Sequence, residues 1–216
     1  PVLRVVLFWR PAPQEHESDH VLLVVAHHIV MDAWSAGIVL NELFTFYATE
    51  QTGAQTGEQV TLPPANRYAD YVTWQQQLLA GPEGERLWSY CRHTLGRDLP
   101  VLALPTDFAR PRVQSHAGAT ALGAIDKELT ARLRTLARSE GVTLYMLLLS
   151  AWYTLLSAWA EQEEVLIGSP TVGRSQPAWA SIVGDFVNAV VLRLRSHPQQ
   201  PFRSLLGEVR RQVLEA

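Results

Sequence analysis

Apolar residues fall into distinct kinds of run along this chain, and each kind predicts a different element. Val2 to Phe8 is apolar except at Arg4, and Val21 to Ala26 is apolar throughout, which suits a central strand covered on both faces. Residues 2–9 and 20–27 therefore read as two strands, joined by the polar loop Pro11 to Asp19 in a length that permits antiparallel pairing. From Ser35 to about Glu50 the pattern changes. Ile38, Val39, Leu43, Phe44, Phe46 and Tyr47 recur at helical spacing behind Ser35, a candidate N-cap. Gln51 to Ala65, rich in Gln, Thr and Gly and carrying Pro63-Pro64, has no periodicity and reads as a surface linker.

Two helices follow, Tyr68 to Leu79 and Pro82 to Leu95, the second with Pro82 in its first turn and Leu87, Cys91 and Leu95 along one face. The prolines Pro100, Pro105 and Pro111 then forbid a continuous helix between Gly96 and Gly118, so a division between two parts of the chain is expected there. The remainder reads as strand, helix, helix, strand, strand, helix. Asp126 can cap a helix that stops at Gly141, and Thr143 can cap an apolar helix reaching Glu161. Val165 to Gly168 and Phe186 to Arg195 read as strands, and Phe202 to Leu214 as an amphipathic helix. The result is a mixed α/β (α+β) protein divided as 1–98, a connector 99–117, and 118–216.

Composition narrows the function classes. With 216 residues, 47% of them hydrophobic, the chain can bury a sizeable core. A formal net charge of -3 leaves no electrostatic footprint for nucleic acid or an anionic membrane, so a protein or small-molecule partner is expected. The single cysteine, Cys91, rules out an internal disulfide and a cysteine-based zinc cluster, and fits a reducing, cytoplasmic setting. The longest apolar run, Leu144 to Trp159, contains Ser150, Thr154 and Ser157 and falls short of the roughly 18 to 20 residues a membrane span needs. It reads as a buried core helix. The start at Pro1, already inside a strand, reads as that of an excerpt from a longer protein.

Chemistry concentrates at His27-His28-Ile29-Val30-Met31-Asp32-Ala33-Trp34-Ser35. Two imidazoles end an apolar strand, an aspartate follows four residues after the second, and a helix leaves at once. Successive strand side chains point to opposite faces, so one histidine is expected to be structural and the other functional. Zinc would need a third ligand, and His16, His20, His93, His116 and His197 are scattered; no metal is expected. A serine triad would need an exposed nucleophile elbow, and no Gly-x-Ser-x-Gly occurs. A histidine acting alone as general base remains, since imidazole titrates near neutrality without help.

His27-His28-x-x-x-Asp32 followed by Ala33, Trp34 and Ser35 resembles the signature of condensation domains of nonribosomal peptide synthetases, relatives of chloramphenicol acetyltransferase. Tyr68-Ala69-Asp70-Tyr71-Val72-Thr73-Trp74-Gln75 resembles a second element of that family. Ile167-Gly168-Ser169-Pro170-Thr171-Val172-Gly173-Arg174, with Val183-Gly184-Asp185-Phe186-Val187-Asn188-Ala189-Val190-Val191-Leu192-Arg193, resembles a third. The resemblance implies two chloramphenicol acetyltransferase-like lobes around a central tunnel, only partly covered by this chain. It implies amide bond formation between a carrier-bound acyl or peptidyl thioester and a carrier-bound aminoacyl acceptor. The partners are then donor and acceptor peptidyl carrier domains and a neighbouring adenylation domain. The substrates ride on the carriers' phosphopantetheine, and the domain itself holds no cofactor. By position His28 is catalytic and His27 supporting, while Asp32 fixes the loop through an ion pair with an arginine expected upstream of Pro1. Gly168, Arg174 and Asn188 are site-adjacent residues of the second lobe. Alternatives are an epimerization domain or a catalytically silent module that recruits a partner. Two residues depart from the family pattern: Ala33 replaces a common Gly, and Asp185 stands where an uncharged residue is common.

Overall fold

The computed structural model describes residues 1–10, 19–56, 61–62, 64–115 and 117–216, with backbone only for 52–56. The chain forms two compact units, Pro1–Arg86 with Pro170–Asn188, and Leu87–Ser169 with Ala189–Ala216. This grouping does not follow the division at the proline-rich connector: residues 87–98 group with the second unit and residues 170–188 with the first.

In the first unit, β1 (Leu3–Arg10) and β2 (Asp19–Ala26) pair antiparallel, with Leu3 opposite Ala26 and Arg10 opposite Asp19. The His27 N–H donates to Val2 O at 2.8 Å and carries the ladder one step further. The expected coverage of β2 on both faces is not found: Val21, Leu22, Leu23 and Val25 are all exposed. Among the described residues β1 is its sole strand partner, and within β2 only Val24 and Ala26 are half-buried. Helix α1 (Ala33–Thr56) is longer at both ends than its periodicity implies and takes in residues 51–56 of the expected linker. Residues 57–60 and 63 of that linker, 11–18 of the hairpin loop, and His16 and His116 lie outside the described residues.

Helix α2 (Tyr68–Ala80) starts behind Arg67, whose N–H donates to Asp70 Oδ2 at 3.1 Å and whose guanidinium donates to Asp70 Oδ1 at 3.2 Å. Tyr68, Tyr71 and Trp74 recur every three residues, so one face of α2 is aromatic. That face packs on residues 179–186: Tyr71, Trp179, Ile182 and Phe186 are buried together, with ring centroids of Tyr71 and Phe186 4.4 Å apart and those of Tyr68 and Phe186 edge-to-face at 5.2 Å. This aromatic packing seats the returning segment 170–188 on its unit.

The unit boundary falls inside α3 (Pro82–Leu95), beyond which Arg193 Nη1 reaches Leu95 O and Nη2 reaches Asp98 O at 3.1 Å. The second unit then contains α4 (Lys127–Ser139), α5 (Leu144–Ala160), β3 (Glu164–Thr171), β4 (Asn188–Arg195) and α6 (Phe202–Glu215), the two strands crossing between units at their ends. Asp126 and Thr143 cap α4 and α5 as expected, accepting from Leu129 N at 2.7 Å and Met146 N at 3.2 Å. Gly141, after α4, sits at φ +65°, where a Cβ would be strained. Met146, Leu149, Tyr153 and Leu156 of α5 close on Val165, Leu192, Leu194, Leu205 and Val209. Leu102 and Leu104 of the connector pack against the same core, and Gln162 holds the chain on either side of Leu102, accepting from the Ala103 N–H and donating to Val101 O.

Two expectations fail here. The strand before Asp126 is absent, because residues 119–125 find no ladder partner among the described residues. Helix α5 is buried on one face alone: Tyr145, Leu148, Trp152, Leu155 and Trp159 form an exposed apolar stripe. Among the described residues no single helix is long and apolar enough to cross a membrane.

Candidate functional site

The histidine loop is built from the end of β2. The chain leaves the ladder at His27, makes one 3-10 turn over His28–Val30, and enters α1 at Ala33. His27 caps that turn, its Nδ1 accepting from Ile29 N at 3.1 Å. A structural role for His27 has a local basis, but its geometry differs from the expected one. His27 does not face a packed side of the strand end; it is exposed, and its structural role is a backbone cap.

Asp32, not Ser35, stands at the N-cap position of α1, accepting from Ser35 N at 2.7 Å. Ser35 is fully buried inside the first turn, where its hydroxyl donates to Gly184 O at 2.7 Å and receives the Gly184 N–H at 3.0 Å. The correction follows from helix geometry: the residue that accepts from N3 lies before the first helical residue, and the helix begins two residues earlier than apolar periodicity shows.

Segment 170–188 returns across this turn and clamps it. Arg174 Nη2 donates to Asp32 Oδ1 at 3.2 Å, to Oδ2 at 3.3 Å and to Ser35 Oγ at 2.8 Å. Its Nη1 holds Trp179 O at 2.6 Å and Ile182 O at 2.8 Å, and its guanidinium carbon lies 3.9 Å from the Phe186 ring centroid. The arginine that pairs with Asp32 is therefore in this chain, not upstream of Pro1. The Phe186 N–H adds a bond to Asp32 Oδ2 at 3.1 Å, the Asp32 N–H donates to Gly184 O at 3.2 Å, and the Trp34 indole N–H donates to Ala180 O at 2.9 Å. Burial pushes the Asp32 carboxyl up, but hydrogen bonds from Ser35, from Phe186 and from Arg174 outweigh it and hold the carboxyl below its ordinary value.

Two glycines make the clamp possible. A Cβ on Gly173, at φ +68°, would sit 1.8 Å from Phe186 O, and one on Gly184 would sit 2.2 Å from the Tyr68 ring. Ala33 raises no such difficulty, because it is the exposed first residue of α1 and does not take a positive φ. Its methyl group is compatible with the loop.

Within this frame His28 is presented outward. Its Nδ1 lies 3.5 Å from Asp185 Oδ2, the two side chains being 67% and 31% exposed, and Nε2 has no hydrogen-bond partner among the described residues. Asp185 was legible in the sequence as a misplaced charge, but its proximity to His28 was not. Tyr68 donates its hydroxyl proton to Asp185 O at 2.5 Å, with burial raising the phenol's pKa. Asn188 lies in the same unit at the end of the returning segment, its backbone carbonyl accepting from Thr171 Oγ1 at 3.0 Å and its side chain exposed. Gly168 belongs to the other unit. No group of three or more His, Cys, Asp or Glu able to hold a metal occurs among the described residues.

A mixed α/β chain with a histidine loop locked by a returning arginine segment defines a condensation-domain fold, and solved structures bear this out. It superposes with TM-score 0.81 on the X-domain from teicoplanin biosynthesis, at 24% identity, covering 99% of this chain and 47% of that one. It matches holo-AB3403, a four-domain nonribosomal peptide synthetase bound to AMP and glycine, with TM-score 0.78 at 24% identity, over 100% of this chain and 15% of that one. Both likenesses are of fold. The family model described as Condensation domain matches residues 7–216, and the chain belongs to that family. A linear gramicidin synthase polypeptide of Brevibacillus parabrevis is 40% identical over 200 residues, which span 93% of this chain and 2% of that relative. Malpinin synthetase of Mortierella alpina is 38% identical over 204 residues, 94% of this chain and 3% of its own length. The resemblance read from the three motifs is thereby established, and the chain spans a small part of these relatives.

Proposed function

We propose that this chain supplies the histidine-bearing part of a condensation domain that forms an amide bond between two carrier-bound substrates. The observation that carries the reading is the outward-facing His28, whose Nε2 is unpartnered among the described residues while the loop behind it is fixed by the Asp32–Arg174 pair. A rigid loop with a free imidazole nitrogen suits a proton acceptor.

The acceptor amine attacks the carbonyl carbon of the donor thioester. As the C–N bond forms, His28 Nε2 takes the amine proton or hydrogen-bonds the tetrahedral intermediate. The C–S bond then breaks, and the proton passes to the departing thiolate. Both substrates would arrive on phosphopantetheine arms of donor and acceptor carrier domains, charged by a neighbouring adenylation domain. No cofactor of the domain's own enters the scheme. Tethering makes the attack effectively intramolecular, which can contribute roughly 7 to 11 kcal/mol of barrier reduction. The enzyme is then an acyltransferase.

The test uses the full-length protein containing this chain, with carriers loaded from a panel of aminoacyl-coenzyme A donors and acceptors and products read by mass spectrometry. Dipeptidyl thioester from the wild type, reduced roughly 10²- to 10⁴-fold in His28→Ala, supports the proposal. Scrambling of α-carbon stereochemistry without amide formation would assign an epimerization domain. Carrier binding with neither product would assign a silent recruiting module.

A further inference from the structure

Two carboxylates lie close to the histidine loop, and they are differently engaged. Asp32 has both oxygens occupied by Arg174, Ser35 and Phe186, and is buried. Asp185 has Oδ1 on the Val187 N–H at 3.3 Å, and its Oδ2 faces His28 Nδ1. Its backbone is held from both sides: Gly184 O receives the Asp32 N–H and the Ser35 hydroxyl, and Asp185 O receives the Tyr68 hydroxyl. The clamp that fixes the histidine loop therefore also fixes the carboxylate beside the imidazole.

A neutral imidazole carries one proton, on either nitrogen, and the partner of one nitrogen decides what the other can do. We propose that Asp185 is a positioning residue for His28, holding the proton on Nδ1 so that Nε2 is presented as the acceptor. The present separation of 3.5 Å is long for a charge-assisted hydrogen bond and shortens when Nε2 gains a proton and the ring becomes an imidazolium. Asp185 takes no proton itself; it selects the ring's tautomer and orientation and stabilises the charged ring as it forms. This rests on the reading of His28 as the proton acceptor.

The decisive measurement is the ¹⁵N spectrum of His28 in the full-length protein, labelled selectively at histidine and assigned with His28→Gln. In the wild type the neutral ring shows a protonated, pyrrole-type Nδ1, and Asp185→Ala converts this to a mixture of tautomers. Asp185→Asn, which keeps an acceptor oxygen without the charge, restores the Nδ1–H form. In the carrier-loaded assay, Asp185→Ala lowers kcat roughly tenfold or more with KM unchanged, part of what a positioned base contributes, and Asp185→Asn recovers most of it. An unchanged spectrum in Asp185→Ala, or a changed spectrum with undiminished kcat, overturns the positioning role. A wild-type spectrum of the expected form in a protein that makes no amide across the whole panel leaves Asp185 as the orienting group and removes the proposed function instead.

Discussion

Asp32 and Asp185 offer a comparison inside one small region. Each is an aspartate that faces a nitrogen-bearing side chain across the histidine loop and segment 170–188, yet the Arg174 and Asp32 side chains are 3% and 1% exposed, against 67% and 31% for His28 and Asp185. Burial separates their roles. A charge pair withdrawn from water, with both carboxylate oxygens and both guanidinium Nη atoms hydrogen-bonded, holds one geometry and becomes costly when broken. A pair left half in water is screened and contributes little to stability. A buried pairing thus serves as an anchor in one place, while a few residues away a similar pairing leaves an imidazole open to solvent.

The sharpest way to break this comparison is Asp32→Asn. It keeps the shape of the side chain but strands the Arg174 guanidinium, and we expect a loss of about 3 to 5 kcal/mol, since an uncompensated buried charge is left behind. Chemical unfolding of the full-length protein measures it, and a variant as stable as wild type would mean that the pair is not an anchor. The pH dependence follows with a definite sign. Because the folded carboxyl of Asp32 is held below its ordinary value of about 3.9, its contribution is complete above that value and disappears as pH falls through the lowered folded one. In Asp32→Asn that part of the acid destabilisation should vanish, and an unaltered acid limb counts against the assignment.

Gly184→Ala tests the clamp without touching a charge. The new Cβ would meet the Tyr68 ring at 2.2 Å, and forcing that ring aside should cost about 1 to 3 kcal/mol. Tyr68→Ala in the same background removes the obstructing ring, so the two losses should be less than additive; strict additivity would show that the close approach is not what requires glycine there. The smallest effect is expected from His27→Ala, which removes one side-chain cap on an exposed turn and should cost about 0.5 to 1 kcal/mol. Amide formation should persist at close to the wild-type rate once the protein is folded. A stable His27→Ala protein with no activity would show that the two histidines do not divide their labour as the geometry suggests.

Most helices are legible in the amino-acid sequence, because each carries its own instructions. Asp126 and Thr143 mark helix starts through bonds made within one turn, and Tyr68, Tyr71 and Trp74 announce an apolar face by spacing alone. Periodicity places the start of α1 two residues late, at Ser35, since Ala33 and Trp34 have no hydrophobic period and the capping role of Asp32 shows only in a hydrogen bond. The expected strand before Asp126 fails for a related reason: strand propensity is local, but a strand exists only where a partner completes the ladder. The motifs likewise locate His28, Asp32 and Arg174 as separate points along the chain.

Short stretches of chain suffice to establish the family, the mixed α/β class and the identity of the groups available for chemistry, because each depends on residues near one another in the sequence. Contacts across the fold are needed to make Arg174 the partner of Asp32 over a separation of 142 residues, to fasten Ser35 to Gly184, and to set Asp185 against His28. No spacing rule encodes those contacts. They arise because the aromatic face of α2 buries Trp179, Ile182 and Phe186 and so delivers the polar groups between them to the histidine loop. Non-directional apolar burial chooses where the segment lands, and the hydrogen bonds then fix what it does there.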